Sequence, residues 1–325
     1  MTISVDTVRI VSRGEIDAAL PQVDVVAAME RAFAAHARGA ARLPPVGEIR
    51  FDDPPGEVHI KSGHVAGDDL FVVKVATGFY ENAAQGLPSS SGLMAVFDAR
   101  NGQPRAILLD GGSLTDIRTA AAGAVAAKYL APRAVTGIGI LGSGIQARLQ
   151  AQYLMRVTDC RRLTVWARRA EGAAACARDL EALGFEVTVA ATPEAVVAVS
   201  DLIVTTTASE APLLNAADLR PGTHVTAIGA DSDGKQELET DIFAKADLVV
   251  TDALAQARVR GDISHALKAG TIVEARIVQL GDIVTGKAAA RTSEAQITIA
   301  DLTGVAVQDI EIAKAVLAVI EAGAS

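Results

Sequence analysis

The sequence predicts an α/β protein, on three observations. Of its 325 residues 50% are hydrophobic but only 3% aromatic, and small aliphatic side chains suit parallel strands buried on both faces. Glycine, at 28 residues, is plentiful enough to punctuate many strand-to-helix turns. From Val135 onward short apolar runs at 137–141, 163–166, 187–190, 202–206, 224–228 and 248–251 alternate with helical stretches, the rhythm of a doubly wound parallel sheet.

The preceding segment has a different character. A helix is expected over 23–38, with strands at 57–61, 70–75 and 92–97. Asp52-Asp53-Pro54-Pro55-Gly56, Gly67-Asp68-Asp69 and the hairpin signal Arg100-Asn101-Gly102 separate these elements, since such residues favour turn geometry. An alanine-rich helix follows over 113–130, with Ser113 or Thr115 as N-cap and Ala131-Pro132 as its stop. The tail at 308–323 is amphipathic and is expected to pack back on the first domain. The expected organisation is therefore a discontinuous α+β domain for substrate binding and dimerisation (1–129 with 305–325) and a doubly wound domain (130–304).

Composition excludes several classes. A net charge of -9 and a pI near 5.1 oppose a general nucleic-acid or anionic-membrane binder, which needs a clustered basic surface. Two cysteines, Cys160 and Cys176, are too few for a disulfide framework or a thiolate metal cage. The amino terminus carries Asp6, Glu15 and Asp17 and lacks an apolar leader core, so a cytoplasmic protein is expected. His36, His59, His64, His224 and His265 show no metal-ligand spacing, and no serine-hydrolase elbow occurs, so no metal site is expected.

The sharpest motif is Gly142-Ser143-Gly144-Ile145-Gln146-Ala147. It follows an apolar strand and opens a helix, the context in which a G-x-G-x-x-G/A turn presents backbone N–H groups to a pyrophosphate. Gly142 allows the tight turn, Gly144 lets phosphate approach, and Ala147 lets helix and sheet pack. The second domain therefore reads as a Rossmann domain. About 20 residues further on, where a carboxylate would take the ribose of NAD, the chain has Ala167-Arg168-Arg169. Two arginines without a carboxylate favour a 2'-phosphate, so NADP(H) is expected before NAD(H). Thr205, Thr206 and Thr207 are candidate cleft hydroxyls, and Thr115, Ile228 and Gly229 complete the expected dinucleotide contacts.

Basic residues could hold an anionic substrate. Arg118 falls in the first turn of the alanine-rich helix, where the helix dipole already favours an anion. Lys74 stands inside Phe71-Val72-Val73-Lys74-Val75-Ala76, where pattern alone points it to solvent; Lys61 and Arg42 pose the same question. Asp231 follows an apolar strand at the carboxyl edge where α/β ligands gather and is a candidate acid or base.

These residues together bring out a family resemblance. Lys74, Gly86-Leu87-Pro88, the run from Leu114 through Asp116 and Arg118 to Ala120, the glycine loop, Val204 to Thr207, Asp231 with Gly234 to Leu238, and Ile297 to Gly304 resemble the ornithine cyclodeaminase/mu-crystallin family over nearly the whole chain. Val58 with Lys61, Phe79-Tyr80 with Asn82, and Gln296 to Gly304 look most like its ectoine/hydroxyectoine-utilisation branch. The resemblance implies a homodimer joined through the first domain, NAD(P)(H) on the second, and a small amino or imino acid between them. It implies that Arg42, Lys74 and Arg118 hold the substrate carboxylate and that Asp231 manages the proton on the reacting nitrogen, which reverses the solvent reading of Lys74. Where the family's ornithine cyclodeaminases have a glutamate, this chain offers His59, Ile60 and Lys61, so a distal ammonium would meet Lys61. The expected activity is NAD(P)H-dependent reduction of an imino acid, with the reverse amino-acid oxidation. The alternatives are a cyclodeaminase that recycles NAD, and a non-catalytic NADP-dependent binding protein of mu-crystallin type.

Overall fold

The computed structural model describes residues 8–323 apart from Asp233. Asp6, Asp233 and the side chain of Tyr80 lie outside the described residues. The chain divides into two compact units, one running to Arg118 and resuming at Ala306, the other running from Thr119 to Val305. The division falls inside the helix Ser113–Leu130, earlier than the boundary expected after Tyr129.

The first unit holds β1 (Arg9–Val11), β2 (Ala41–Arg42), β3 (Gly47–Asp52), β4 (Pro55–Val65), β5 (Leu70–Gly78), β6 (Ser90–Asp98) and β7 (Pro104–Leu108). They form one sheet in the order β1-β7-β6-β5-β4-β2, with β3 also paired to β4. All pairings are antiparallel except β1 with β7. Because side chains alternate across a strand, Leu70, Val72 and Lys74 share the buried face of β5. The helix Ala306–Gly323 packs on β4 and β5, and the helix Val25–Ala37 packs in turn against that helix. The tail helix buries Val307, Ile310, Ile312, Val316 and Leu317, each stabilising by about 1.5–3 kcal/mol relative to exposure. This burial explains why a segment remote in sequence belongs to the first unit. Ile49, Phe51 and Ile60, on the opposite face of β3 and β4, remain exposed.

The second unit adds β8 (Ile138–Leu141), β9 (Arg162–Trp166), β10 (Glu186–Val189), β11 (Leu202–Thr205), β12 (His224–Ala227), β13 (Leu248–Thr251), β14 (Ile277–Gln279) and β15 (Thr298–Asp301). The sheet is parallel throughout, in the order β10-β9-β8-β11-β12-β15-β13-β14. Residues of β8, β11, β12 and β15 are buried on both faces. Ile140, Val204 and Leu163 join a core with Ala147, Leu154 and Leu180, whereas Leu141, Ile203 and Val225 join another with Phe243 and Ile263. The order reverses between β8 and β11, the switch point at which such sheets bind ligands. The apolar runs from 137 to 251 foretell six of these strands. They miss β14 and β15, and the latter inserts centrally between β12 and β13.

That insertion explains His224. Its ring is wholly buried, Nδ1 lying 2.9 Å from Thr298 Oγ1 on β15 and Nε2 lying 2.9 Å from Thr226 Oγ1. Burial, with Arg291 nearby, lowers its pKa to about 3. The folded state thus disfavours the charged ring, so this contribution to stability is present above the unfolded value near 6.5 and is lost as pH falls toward about 3. Urea unfolding of wild type between those limits should steepen with acid by up to about 1.4 kcal/mol per pH unit relative to His224→Gln; parallel profiles would show that His224 takes no part.

Candidate functional sites in the two units

In the second unit the glycine loop begins where β8 ends. Gly142 adopts φ +128 and donates its N–H to the Trp166 carbonyl at 2.8 Å. A Cβ there would lie 2.3 Å from Thr206 Oγ1, so both conformation and space demand glycine. Gly144 is the N-cap of the helix Ile145–Leu154 and supplies no side-chain cap, and nothing lies within 4 Å of where its Cβ would be. The helix start thus has no side-chain cap to compete with an anion. Arg148 braces the loop from behind, donating to the Ser143 carbonyl at 2.6 Å and pairing with Asp179.

Beside the loop lies a cavity of about 220 Å³ whose lining includes Gly142, Ser143, Ala167, Arg168, Arg169 and Thr207. Among the described residues its lining contains two arginines and no carboxylate, which suits the phosphates of a dinucleotide. Ile145 is exposed at the helix start, and Gln146 accepts from Gln150 Nε2. Thr206 donates to the Leu141 carbonyl at 3.1 Å and also lines the cavity. Thr205, expected in the cleft, is instead wholly buried at the end of β11 and donates to Glu237 Oε2 at 2.6 Å. Ile228 is buried against the sheet core. Gly229 donates to Glu237 Oε2 at 2.8 Å, and neither it nor Ile228 is among the described residues lining that cavity. Thr115 belongs to the first unit, half-buried in the first turn of its helix.

Glu237 lies within the motif at 234–238, which assigns it no role. It is wholly buried, and burial raises its pKa to about 7 against the lowering effect of hydrogen bonds from Thr205 and Thr207. Asp231 is exposed on the loop after β12 and pairs with Lys235 at 2.9 Å.

In the first unit Lys74, Arg118 and Asp309 meet in the interior, each no more than 5% exposed. Asp309 Oδ1 accepts from Lys74 Nζ at 3.0 Å and from Arg118 Nε at 2.9 Å. Arg118 also donates to Gln308 Oε1 at 2.9 Å. Burial lowers Lys74 to about 7; Asp309 opposes that shift, and Arg118 and Lys61 reinforce it. Burial would raise Asp309, but Lys74, Arg118 and Lys61 together hold it below its ordinary value. Lys61 is the register partner of Lys74 across β4 and β5 and shares its face. Arg42 does not join them. It pairs in register with His64, on the face opposite Lys61 and Lys74 because side chains alternate along β4, and it lines a separate open groove with Leu43 and Phe71.

Asp309 was illegible because its partners lie 235 and 191 residues away. The available signal was a carboxylate within an apolar helix, which needs a buried partner. Elsewhere in this unit Glu48, Glu57 and His59 bring one ligand atom each within 4.8 Å of one another. Glu48 already pairs with Arg50 at 2.7 Å, and Glu57 lies 3.5 Å from His59.

The same arrangement of sequence occurs in known proteins. The family model for the ornithine cyclodeaminase/mu-crystallin family matches residues 7–323. A cyclodeaminase of Sinorhizobium fredii, itself uncharacterised, is 40% identical over 311 residues, covering 94% of each chain. Among solved structures, an archaeal alanine dehydrogenase dimer with bound NAD superposes with a TM-score of 0.90 at 32% identity, covering 98% of this chain and 97% of the other. The Δ1-pyrroline-2-carboxylate reductase of Thermococcus litoralis, solved with NADH and L-proline, gives a TM-score of 0.91 at 27% identity, covering 97% and 98%. With a match that spans both units and every motif described above, the chain belongs to the ornithine cyclodeaminase/mu-crystallin family.

Proposed function

We propose that the protein is an enzyme that reduces the C=N bond of a small 2-imino acid with a nicotinamide dinucleotide, and catalyses the reverse oxidation of the amino acid. The observation that carries this reading is the buried pair Lys74 and Arg118 sharing a single carboxylate oxygen, an anchor for a substrate carboxylate in the same chain as a glycine-loop cleft. The dinucleotide, when bound, supplies or accepts the hydride. Lys74 and Arg118 orient the substrate through its carboxylate, and positioning of this kind can lower a barrier by several kcal/mol. Asp231 gives a proton to the nitrogen or stabilises its iminium form. Relatives named as an alanine dehydrogenase and a pyrroline-2-carboxylate reductase support this class of reaction.

Arg168 and Arg169 in a cavity lined by no carboxylate support NADP(H) over NAD(H). Exposed Ile49, Phe51 and Ile60 on one face of β3 and β4, with the dimeric alanine dehydrogenase, support a homodimer joined through the first unit. A cyclodeaminase cycle is the second reading, favoured by the S. fredii relative. It differs in releasing ammonia from a diamino acid without net change in the dinucleotide. The placement of Lys61 beside Lys74 disfavours ornithine, whose distal ammonium it would repel.

Purified protein should oxidise NADPH when offered pyruvate with an amine, or a cyclic imino acid, and Lys74→Met should lose turnover while retaining NADPH binding. Absence of turnover across such a panel, with the dinucleotide still bound, would remove the reductase reading. Replacing Arg168 and Arg169 together by alanine should weaken NADPH about tenfold and leave NADH nearly unchanged, an effect of about 1.4 kcal/mol; equal losses would count against NADP preference.

Protonation of Lys74 adds a pH test. With Lys74 near 7, the substrate KM should rise as pH climbs through neutrality and the ammonium is lost. Asp309 favours that ammonium, so Asp309→Asn should move the rise to lower pH and increase KM at pH 7. An unchanged KM profile in that variant would separate Asp309 from carboxylate binding.

A further inference from the structure

We propose that Glu237 is a positioning residue of the dinucleotide cleft, holding the carboxyl ends of β11 and β12 and, through Thr207, the cleft wall in the geometry that receives the dinucleotide. The inference rests on the reading of that cleft as the dinucleotide site.

Glu237 does not line the cavity, yet both of its oxygens reach residues that shape it. Oε1 accepts from Thr207 N at 2.5 Å and from Thr207 Oγ1 at 2.6 Å. Oε2 accepts from Thr205 Oγ1 at 2.6 Å and from Gly229 N at 2.8 Å. One carboxylate thereby ties the segment after β11 to the segment after β12. Gly229 must be glycine for this to occur, since a Cβ would lie 2.0 Å from the Thr207 carbonyl oxygen and 2.7 Å from Glu237 Cδ.

The backbone around Glu237 makes the same connection. Its carbonyl accepts from Leu213 N at 2.7 Å, and the neighbouring Gln236 N donates to the Ser209 carbonyl at 2.7 Å. Leu213, Ser209 and Thr207 all line the cavity. Glu237 N and Leu238 N are held in turn by Asp262 Oδ1, at 2.9 and 3.0 Å. The strap is thus anchored on the side away from the cleft as well as on the side toward it.

The distribution of donors explains why a carboxylate is needed. Each oxygen receives one backbone N–H and one hydroxyl. A hydroxyl can rotate to become an acceptor, but a backbone N–H cannot. Glutamine in either orientation would set its NH2 against a backbone N–H, at Thr207 or at Gly229. Burying a charge without a cationic partner is costly, and the Asp262 carboxylate nearby adds to that cost; the four hydrogen bonds offset it.

The test measures binding, using NADPH fluorescence and 2',5'-ADP as a fragment that carries the 2'-phosphate. Glu237→Gln should weaken both ligands about tenfold, or about 1.4 kcal/mol, with near-ultraviolet circular dichroism unchanged. Thr205→Val removes one donor to Glu237 at a wholly buried position outside the cavity lining, and should weaken both about fivefold for the loss of about 1 kcal/mol. If Glu237→Gln fails to fold, Thr205→Val decides alone. Wild-type affinity in a folded Thr205→Val, or in a folded Glu237→Gln, overturns the inference and leaves the dinucleotide reading standing. Failure of wild-type protein to bind NADPH or NADH overturns both.

Discussion

A buried charge has to be answered within hydrogen-bond reach, and in the first unit a single carboxylate oxygen answers two cations. Asp309 Oδ1 takes both Lys74 and Arg118 in an interior where either cation alone would be costly. The three residues come from β5, the helix Ser113–Leu130 and the tail helix Ala306–Gly323. Docking of the tail helix therefore does two things: it buries an apolar stripe, and it delivers the anion that permits the cations to be there. This dependence also explains why the unit is built from two separated stretches of chain.

The second unit meets the same constraint by another route. Glu237 is as buried as Asp309, yet the groups bonded to its carboxylate are hydroxyls and backbone N–H groups. The different partners push the two carboxylates apart: cations hold Asp309 below its ordinary value, whereas burial raises Glu237 to about 7. The first arrangement suits a place where an incoming anion must find positive charge. The second holds the segments after β11 and β12 together through neutral donors.

Family membership and geometry constrain the substrate together. The family accommodates dehydrogenase, reductase and cyclodeaminase relatives, so the fold alone does not choose a reaction. Lys61 shares the face of Lys74, and Asp110, just ahead of the helix Ser113–Leu130, accepts from Leu114 N at 3.0 Å. Arg42 faces the other side of the sheet from Lys61 and Lys74.

Periodicity and turn chemistry made much of the architecture legible in the sequence. The strand rhythm after Val135, the helix over Ser113–Leu130 and the glycine loop are all local patterns, and short-range sterics suffice to specify them. Gly142 could be read as a turn glycine, and Arg168 and Arg169 as following that loop at a fixed distance, because both are local features of one βαβ unit. β15 was not legible, since a short strand of Thr298, Ile299, Ala300 and Asp301 carries little periodic signal and its place between β12 and β13 is a long-range pairing. The same holds for the face that Arg42 takes, which depends on strand register. The sequence by itself thus determined the two kinds of unit and the loop that begins the dinucleotide cleft. Tertiary structure decided which charges are buried and what answers them, because Asp309 and Glu237 acquire their roles from partners that only folding brings within 3 Å.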